Sequence, residues 1–450
     1  MKTIAALVLS SLAVSIAGFA HAQLSPDEIA RLGGSEYNEV GAKRAGNADG
    51  SIPPYSGQVQ GPGPKPPASA GKFPWHSAYD SDTPLYTIDQ SNLDEYRDKL
   101  SAGTIALIER YPTYKVHVYP THRDKYFSDE VMARTKQCAA TAKLSETQDD
   151  LLDAHACIPF PFAKNGYQVL WNAMVRNRLP YEWFEYKMYL TDKSGRTTLQ
   201  QDTEMLSLNE YWDTSRTSSR YFMKLLTTIK QPAGKAGSQT LRWSPLSPNA
   251  EDPRSWSYIP GQRRVRLSPE FKYDTVATST GGLTYFDEIN LLDGKLDRFD
   301  YSKATLKEMI VPFDTPQLMH LPIEQAAQKD HPNPDAVRWQ LRYVWEVEGH
   351  LKPSARHVMK KKVYQVEADS WGLVGYQGYD QSGALFKVGM TYPFVRTEMP
   401  AINTQQITVW DLNKDFWGFQ LHFNDGGIWP MDKLEDRELS PDNIQGRGVR

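Results

Sequence analysis

The sequence predicts an α+β protein whose main element is one large, strongly bent antiparallel sheet. From Val337 to Val347 every second residue is apolar and most of the intervening residues are polar, a pattern typical of a long strand with one buried face. A second alternation, from Phe184 to Leu190, ends at a turn over 192–195, and no long helical period recurs after it. Aromatic residues make up 12% of the chain, and their rings suit strands of this kind.

The first 180 residues are predicted to mix short helices with short strands. Ser25, Asn92, Ser128 and Asn165 each favour a helix start and each precede apolar residues with helical spacing. The Asn92 segment carries Leu93, Tyr96 and Leu100 on one stripe. A strand is predicted over 114–119. The helices would therefore be insertions beside the sheet.

The opening residues have the three-part order of a secretory signal peptide. Lys2 precedes an apolar run from Ile4 to Val14, and the small-residue site Ala20-His21-Ala22 follows. Cleavage after Ala22 is expected to release the protein into the periplasm. The apolar run is shorter than the roughly 20 residues that cross a bilayer, so no membrane span is expected.

The predicted organisation has three parts. Residues 1–22 form the leader, and 23–75 form an N-terminal helix followed by a Pro/Gly-rich extended arm. Residues 76–450 form one β domain with helical insertions in 90–178. The formal net charge is −3, with 51 Lys and Arg against 54 Asp and Glu, so nucleic acid is not an expected partner.

The chain has two cysteines, Cys138 and Cys157. In an oxidising compartment an even pair at this spacing favours one disulfide. Closing the loop between them would stabilise the fold by roughly 3 kcal/mol in the chain-entropy model. A redox pair or a metal site is the alternative, but the first usually needs a Cys-x-x-Cys motif and the second needs more ligands nearby.

The specific motifs of common enzymes are absent from the sequence. It has no Gly-x-Ser-x-Gly elbow, no His-Glu-x-x-His and no Gly-x-Gly-x-x-Gly after a strand. His117 and His122 are better explained as ordinary histidines than as metal ligands, and Asp293-Gly294 as a turn rather than a calcium loop. Carboxylates such as Glu346 and Glu348 fit a solvated strand face. We therefore expect no enzyme activity, no metal and no cofactor.

An arginine-rich segment follows a Pro-Gly corner at 260–261. On a strand, Arg264 and Arg266 would share one face, with Trp256 and Tyr258 just upstream. Guanidinium groups bind carboxylate or phosphate, including lipid head groups. The arginines could organise the rim of an apolar concavity, or they could form internal ion pairs. The acids available for the second arrangement are Asp274, Asp287 and Glu288.

Several short motifs together resemble a proteobacterial family of secreted proteins of unknown function. They occur in the right order over nearly the whole chain: Asn47-Ala48-Asp49-Gly50-Ser51-Ile52-Pro53, Ile158-Pro159-Phe160-Pro161, Pro260-Gly261-Gln262-Arg263-Arg264-Val265-Arg266, Leu351-Lys352-Pro353 and Asp369-Ser370-Trp371. The resemblance implies a fold similar to the lipoprotein carriers LolA and LolB, an incomplete β-barrel wrapped over helices. It also implies that the protein works beside inner-membrane exporters of the resistance-nodulation-division (RND) type. The cysteine pair is not part of it.

The function expected from the sequence is a non-catalytic carrier of a lipid or other hydrophobic molecule towards the outer membrane. A sheet with more aromatic surface than its helices can cover would leave a concave apolar wall, for which Trp339, Tyr343 and Trp345 are candidates. For any single one of them, a place in the sheet core is the better explanation. The alternative is a periplasmic glycan-binding or transporter-scaffolding module. An enzyme acting on envelope polymers is the third hypothesis.

Overall fold

The computed structural model describes residues 24–60, 76–268, 273–396, 401–404 and 406–447. The predicted leader and the most proline-rich part of the arm lie outside these ranges. Within them, none of the helices has the length and apolar character needed to cross a bilayer. The division of the chain into three parts stays a prediction.

The described ranges contain seven α-helices and nineteen strands. The helices are α1 Pro26–Arg31, α2 Ala102–Arg110, α3 Asp129–Cys138, α4 Gly166–Met174, α5 Gln317–His320, α6 Ile323–Ala326 and α7 Pro441–Arg447. The strands are β1 Tyr86–Ile88, β2 Val116–Val118, β3 Lys143–Leu144, β4 Leu151–Leu152, β5 Tyr181–Thr191, β6 Thr197–Leu208, β7 Tyr221–Gln231, β8 Gln239–Pro245, β9 Arg254–Ile259, β10 Arg264–Leu267, β11 Phe299–Pro312, β12 Trp339–Leu351, β13 Lys361–Glu367, β14 Leu373–Tyr379, β15 Leu385–Thr391, β16 Phe394–Arg396, β17 Ala401–Asn403, β18 Ile407–Asp411 and β19 Phe416–Pro430.

Fifteen of these strands form one sheet in the order β1-β2-β12-β13-β14-β15-β18-β19-β5-β6-β7-β8-β9-β10, with β11 on the free side of β12. All pairings are antiparallel except the single contact of Trp339 with Val118. Among the described strands β10 and β11 do not meet, so the sheet is open. The predicted fold class, a large curved antiparallel sheet with a few helices, is confirmed.

Helices cover both faces of the middle of the sheet. Every residue of α4 is buried, and its core cluster includes Tyr364 and Tyr376. The next residue of β14, Gln377, faces the other way, towards Gly103 of α2. Because neighbouring residues of a strand point to opposite faces, α4 and α2 lie on opposite sides.

Several predicted local elements are confirmed. Ser25 forms a capping box with Glu28, and Ser128 and Asn165 cap α3 and α4 through their side chains. Cys138 and Cys157 are joined by a disulfide that ties the end of α3 to the segment before α4.

The helix predicted to start at Asn92 is wrong. The Asn92 side chain accepts from the Asp89 amide and donates to the Thr87 carbonyl, so it closes the preceding turn and leaves the following amides uncapped. Only two short 3₁₀ turns form at 93–95 and 97–99. The helix starts instead after Ser101, whose hydroxyl caps α2.

Candidate functional site

A cavity of about 1020 Å³ lies on one face of strands β5 to β10. We call this side of the strands the cavity face and the other side the reverse face. A volume of this size is at the upper end of the range of about 300–1,000 Å³ that is usual for small-molecule sites. The connection between β10 and β11 crosses above it and contributes Phe286 and Ile289.

The cavity face follows from strand register, because directly opposite residues of antiparallel strands share a face. One row of paired residues runs across the sheet from Ile428 of β19 to Arg266 of β10, through Phe184, Met205, Thr227, Thr240 and Ser257. We call it the middle row. Tyr186, Thr203 and Ile229 form the next row. Together with Met188 they give the β5–β7 side of the cavity an apolar surface.

The row on the other side of the middle row is polar. It runs through Glu182, Ser207, Leu225, Arg242 and Ser255, and we call it the polar row. The carboxylate of Asp293, from the covering connection, binds both terminal nitrogens of Arg242, with 2.7 Å between Nη2 and Oδ1. Burial lowers the pKa of Arg242, but the neighbouring Asp293 carboxylate outweighs it, and the pKa is raised overall.

Arg178 lies at the polar end of the cavity, just before β5. Arg176, two residues earlier in the chain, lines a recess of about 20 Å³ that shares Arg178, Asn290 and Asp293 with the main cavity. Burial lowers the pKa of both guanidinium groups. The cavity therefore joins an apolar strip to an end lined by Arg178, with Arg176 in the adjoining recess.

The predicted arginine pair lies at the rim of the same face. Arg266 ends the middle row, and both Arg264 and Arg266 are exposed on the edge strand. The acids considered as internal partners are bound elsewhere: Asp274 by Arg298, Asp287 by Lys362 and His357, and Glu288 by Tyr376. Within the described ranges neither arginine forms an ion pair.

The predicted aromatic residues do not line this cavity. Trp256 and Tyr258 face the reverse side, in a core cluster with Leu439 and Ile444 of the C-terminal segment. Trp339 and Tyr343 are buried in another cluster, and Trp345 lies 6.5 Å from Trp371, ring centre to ring centre. The structure gives all five a packing role, and their part in ligand binding stays a prediction.

The sequence pattern did not identify the residues that line the cavity as a binding surface. The alternation of Phe184, Tyr186 and Met188 placed them on one strand face, but nothing in the sequence shows which face a helix leaves uncovered. Arg178 had no sequence signal at all, because an isolated arginine after a helix is ordinary.

The two histidines considered as metal ligands bind separate carboxylates. His117 Nε2 lies 3.1 Å from Asp335 Oδ1, and His122 Nε2 lies 2.8 Å from Asp82 Oδ2. In the ranges given above, no group of three His, Cys, Asp or Glu side chains could hold a metal ion.

Comparison with known proteins identifies the family. The family model described as "Protein of unknown function (DUF1329)" matches residues 87–445. The chain belongs to this family. An uncharacterised protein of Pseudomonas aeruginosa is 33% identical over 400 residues, covering 85% of this chain and 83% of that protein.

Three solved structures overlay on 62% of this DUF1329 chain. A putative outer membrane lipoprotein-sorting protein domain from Vibrio parahaemolyticus has 12% identity, a TM-score of 0.43 and 98% of its own length covered. A DUF1329 protein from Desulfovibrio piger has 13% identity, a TM-score of 0.40 and 97% covered. A LolA superfamily protein from Nitrosomonas europaea has 11% identity, a TM-score of 0.37 and 99% covered.

Proposed function

We propose that this DUF1329 protein is a non-catalytic periplasmic carrier that binds a lipid or other hydrophobic molecule in the cavity of strands β5–β10 and transfers it towards the outer membrane. The observation that carries the proposal is the apolar surface of Phe184, Tyr186, Met188 and Met205 lining a cavity of about 1020 Å³. Burying an acyl chain there is worth about 0.8 kcal/mol per methylene.

The compartment is supported by two separate features. The leader predicted over 1–22 directs export, and the disulfide between Cys138 and Cys157 is typical of an oxidising compartment. Arg264 and Arg266 are proposed as a charged rim that meets the polar part of the cargo. The RND-type exporter stays a prediction as partner.

The binding proposal is tested with N-phenyl-naphthylamine, an uncharged probe that fluoresces in apolar sites. The purified, delipidated protein is expected to bind it. Ile229→Trp, which fills the apolar side of the cavity, should weaken binding at least tenfold. Leu306→Trp on β11 is the matched control, because Leu306 is 42% exposed and does not line the cavity.

Two results would contradict the carrier. One is a wild-type protein that does not enhance the probe's fluorescence, and the other is equal binding by both tryptophan variants. Native mass spectrometry of protein taken from its own periplasm provides the second measurement, since a carrier should retain a co-purifying lipid.

A further inference from the structure

Five arginines are buried in the described part of the chain, and four of them are paired with a carboxylate. Arg123 contacts Asp369, Arg338 contacts Asp82, Arg342 contacts Glu367 and Asp369, and Arg396 contacts Glu182. The fifth, Arg176, is 8% exposed. Among the described residues, its guanidinium donates one hydrogen bond, from Nη1 to the Ala173 carbonyl at 3.4 Å.

Arg178 also lacks a carboxylate partner among the described residues. It is half-buried, and its guanidinium contacts the Met223 sulfur at 3.8 Å instead of a carboxylate. The acids whose charge acts on these arginines through space, Glu182 and Asp293, are bound elsewhere. Glu182 accepts from Arg396 and Asn209, and Asp293 accepts from Arg242. Among the described residues, neither Arg176 nor Arg178 has an acidic partner within ion-pair distance.

An unpaired buried cation is costly, because it loses hydration without gaining a counter-charge. These two guanidinium groups line the recess and the polar end of the cavity. A guanidinium fork matches the oxygens of a carboxylate or a phosphate. The missing counter-charge is therefore one that a ligand can supply.

The position of the pair also fixes the orientation of such a ligand. Arg178 precedes β5, next to the polar row, while Tyr186, Met188 and Ile229 lie further along the cavity face. A head bound by the arginines leaves the chain to run over the middle row and onto these apolar residues.

We propose that the cavity takes an amphiphile with an anionic head, with Arg178 and Arg176 binding its carboxylate or phosphate and the apolar strip of β5–β7 binding its chain. This rests on the carrier function proposed above and adds the chemical class of the cargo.

The test compares cis-parinaric acid with its methyl ester, which carries the same fluorescent chain without the charge. At pH 8 the delipidated protein is expected to bind the acid at least tenfold more tightly than the ester. Arg178→Gln should bring the two affinities within about twofold. Arg437→Gln is the matched control, because Arg437 is 81% exposed in its side chain, and it should keep the preference.

The competition arm separates an amphiphile from a free anion. Dodecyl phosphate is expected to displace the bound acid, whereas inorganic phosphate at the same concentration is not. Equal displacement by inorganic phosphate would overturn the proposal.

Equal binding of acid and ester by the wild-type protein would also overturn it and would leave the carrier function standing. Binding of neither would count against the carrier function itself. The wild-type comparison needs no variant, so the proposal stays testable if Arg178→Gln does not fold.

Discussion

Most buried lysines and arginines in the described ranges are paired with a carboxylate. Asp287 shows how: it accepts from Lys362 and from His357 Nε2, the latter at 2.9 Å. The other ring nitrogen of His357 accepts from the Met359 amide at 3.0 Å, which leaves the hydrogen on Nε2. Against this background the unbalanced arginines of the cavity stand out.

Asp287 should make the protein sensitive to acid. Burial raises its pKa, but Lys362 and His357 outweigh burial and lower it from 3.8 to about 2. A carboxyl with a depressed folded-state pKa stabilises the fold above the unfolded pKa, and this stabilisation, on the order of 2–3 kcal/mol, is lost as the pH falls from about 4 to about 2. Asp287→Asn should be less stable than wild type at pH 7, by an amount that shrinks over that range.

The measurement is the free energy of unfolding in urea between pH 7 and pH 2.5. A difference between Asp287→Asn and wild type that stays constant over this range would contradict the assigned pKa. Asp300→Asn serves as the control, because Asp300 is an exposed aspartate of β11.

At the scale of elements, α4 is held against the sheet by a very close approach at its first residue. A Cβ added to Gly166 would lie 2.3 Å from the Tyr301 carbonyl oxygen and 2.5 Å from Val347 Cγ1. Backbone cannot move aside easily, so only glycine allows α4 to reach β11 and β12 at this distance.

Gly166→Ala is therefore expected to destabilise the protein by about 1–3 kcal/mol, the usual cost of overpacking. Gly234→Ala is the matched control, because a Cβ there would meet no atom within 4 Å, and its effect should stay within about 0.5 kcal/mol. Chemical denaturation of both variants checks this. Equal midpoints for the two would show that α4 can shift without cost.

At the scale of the whole molecule, the sheet has two regions that differ in how their faces are covered. From β13 to β18 in the sheet order both faces are buried, with helices α2 and α4 on opposite sides. From β5 to β10 the reverse face is packed under Leu434, Leu439 and Ile444, and the cavity face is left partly open. Ligand binding should therefore change the amide exchange of the β5–β10 region only.

Hydrogen exchange can check this division. Saturating parinaric acid is expected to slow amide exchange in β5–β8 and to leave β12–β14 unchanged, because a ligand that binds the native state protects the segments it touches. Without ligand, the four-residue edge strand β10 should exchange faster than β6. Uniform protection of the whole sheet would contradict a cavity confined to β5–β10.

The strands could be predicted from the sequence because alternation is a local signal. The long strand at β12 and the turn at 192–195 lie where the sequence pattern predicts them. The residues that line the cavity were harder to predict, since Trp339 and Phe184 both alternate with polar neighbours. Which of them is covered depends on helices and connections far away in the chain. The unpaired state of Arg178 depends on how Glu182 is used by Arg396, a residue more distant still.

The pairing of β5 with β19 has a consequence for the order of events during folding. β19 is the last strand of the described chain. One edge of β5 therefore stays unpaired until β19 has been synthesised. Long-range pairing of this kind slows folding, and open strand edges invite misassembly in the meantime. Until β19 pairs with it, the exposed edge of β5 is therefore the part of the sheet most open to contacts with other chains.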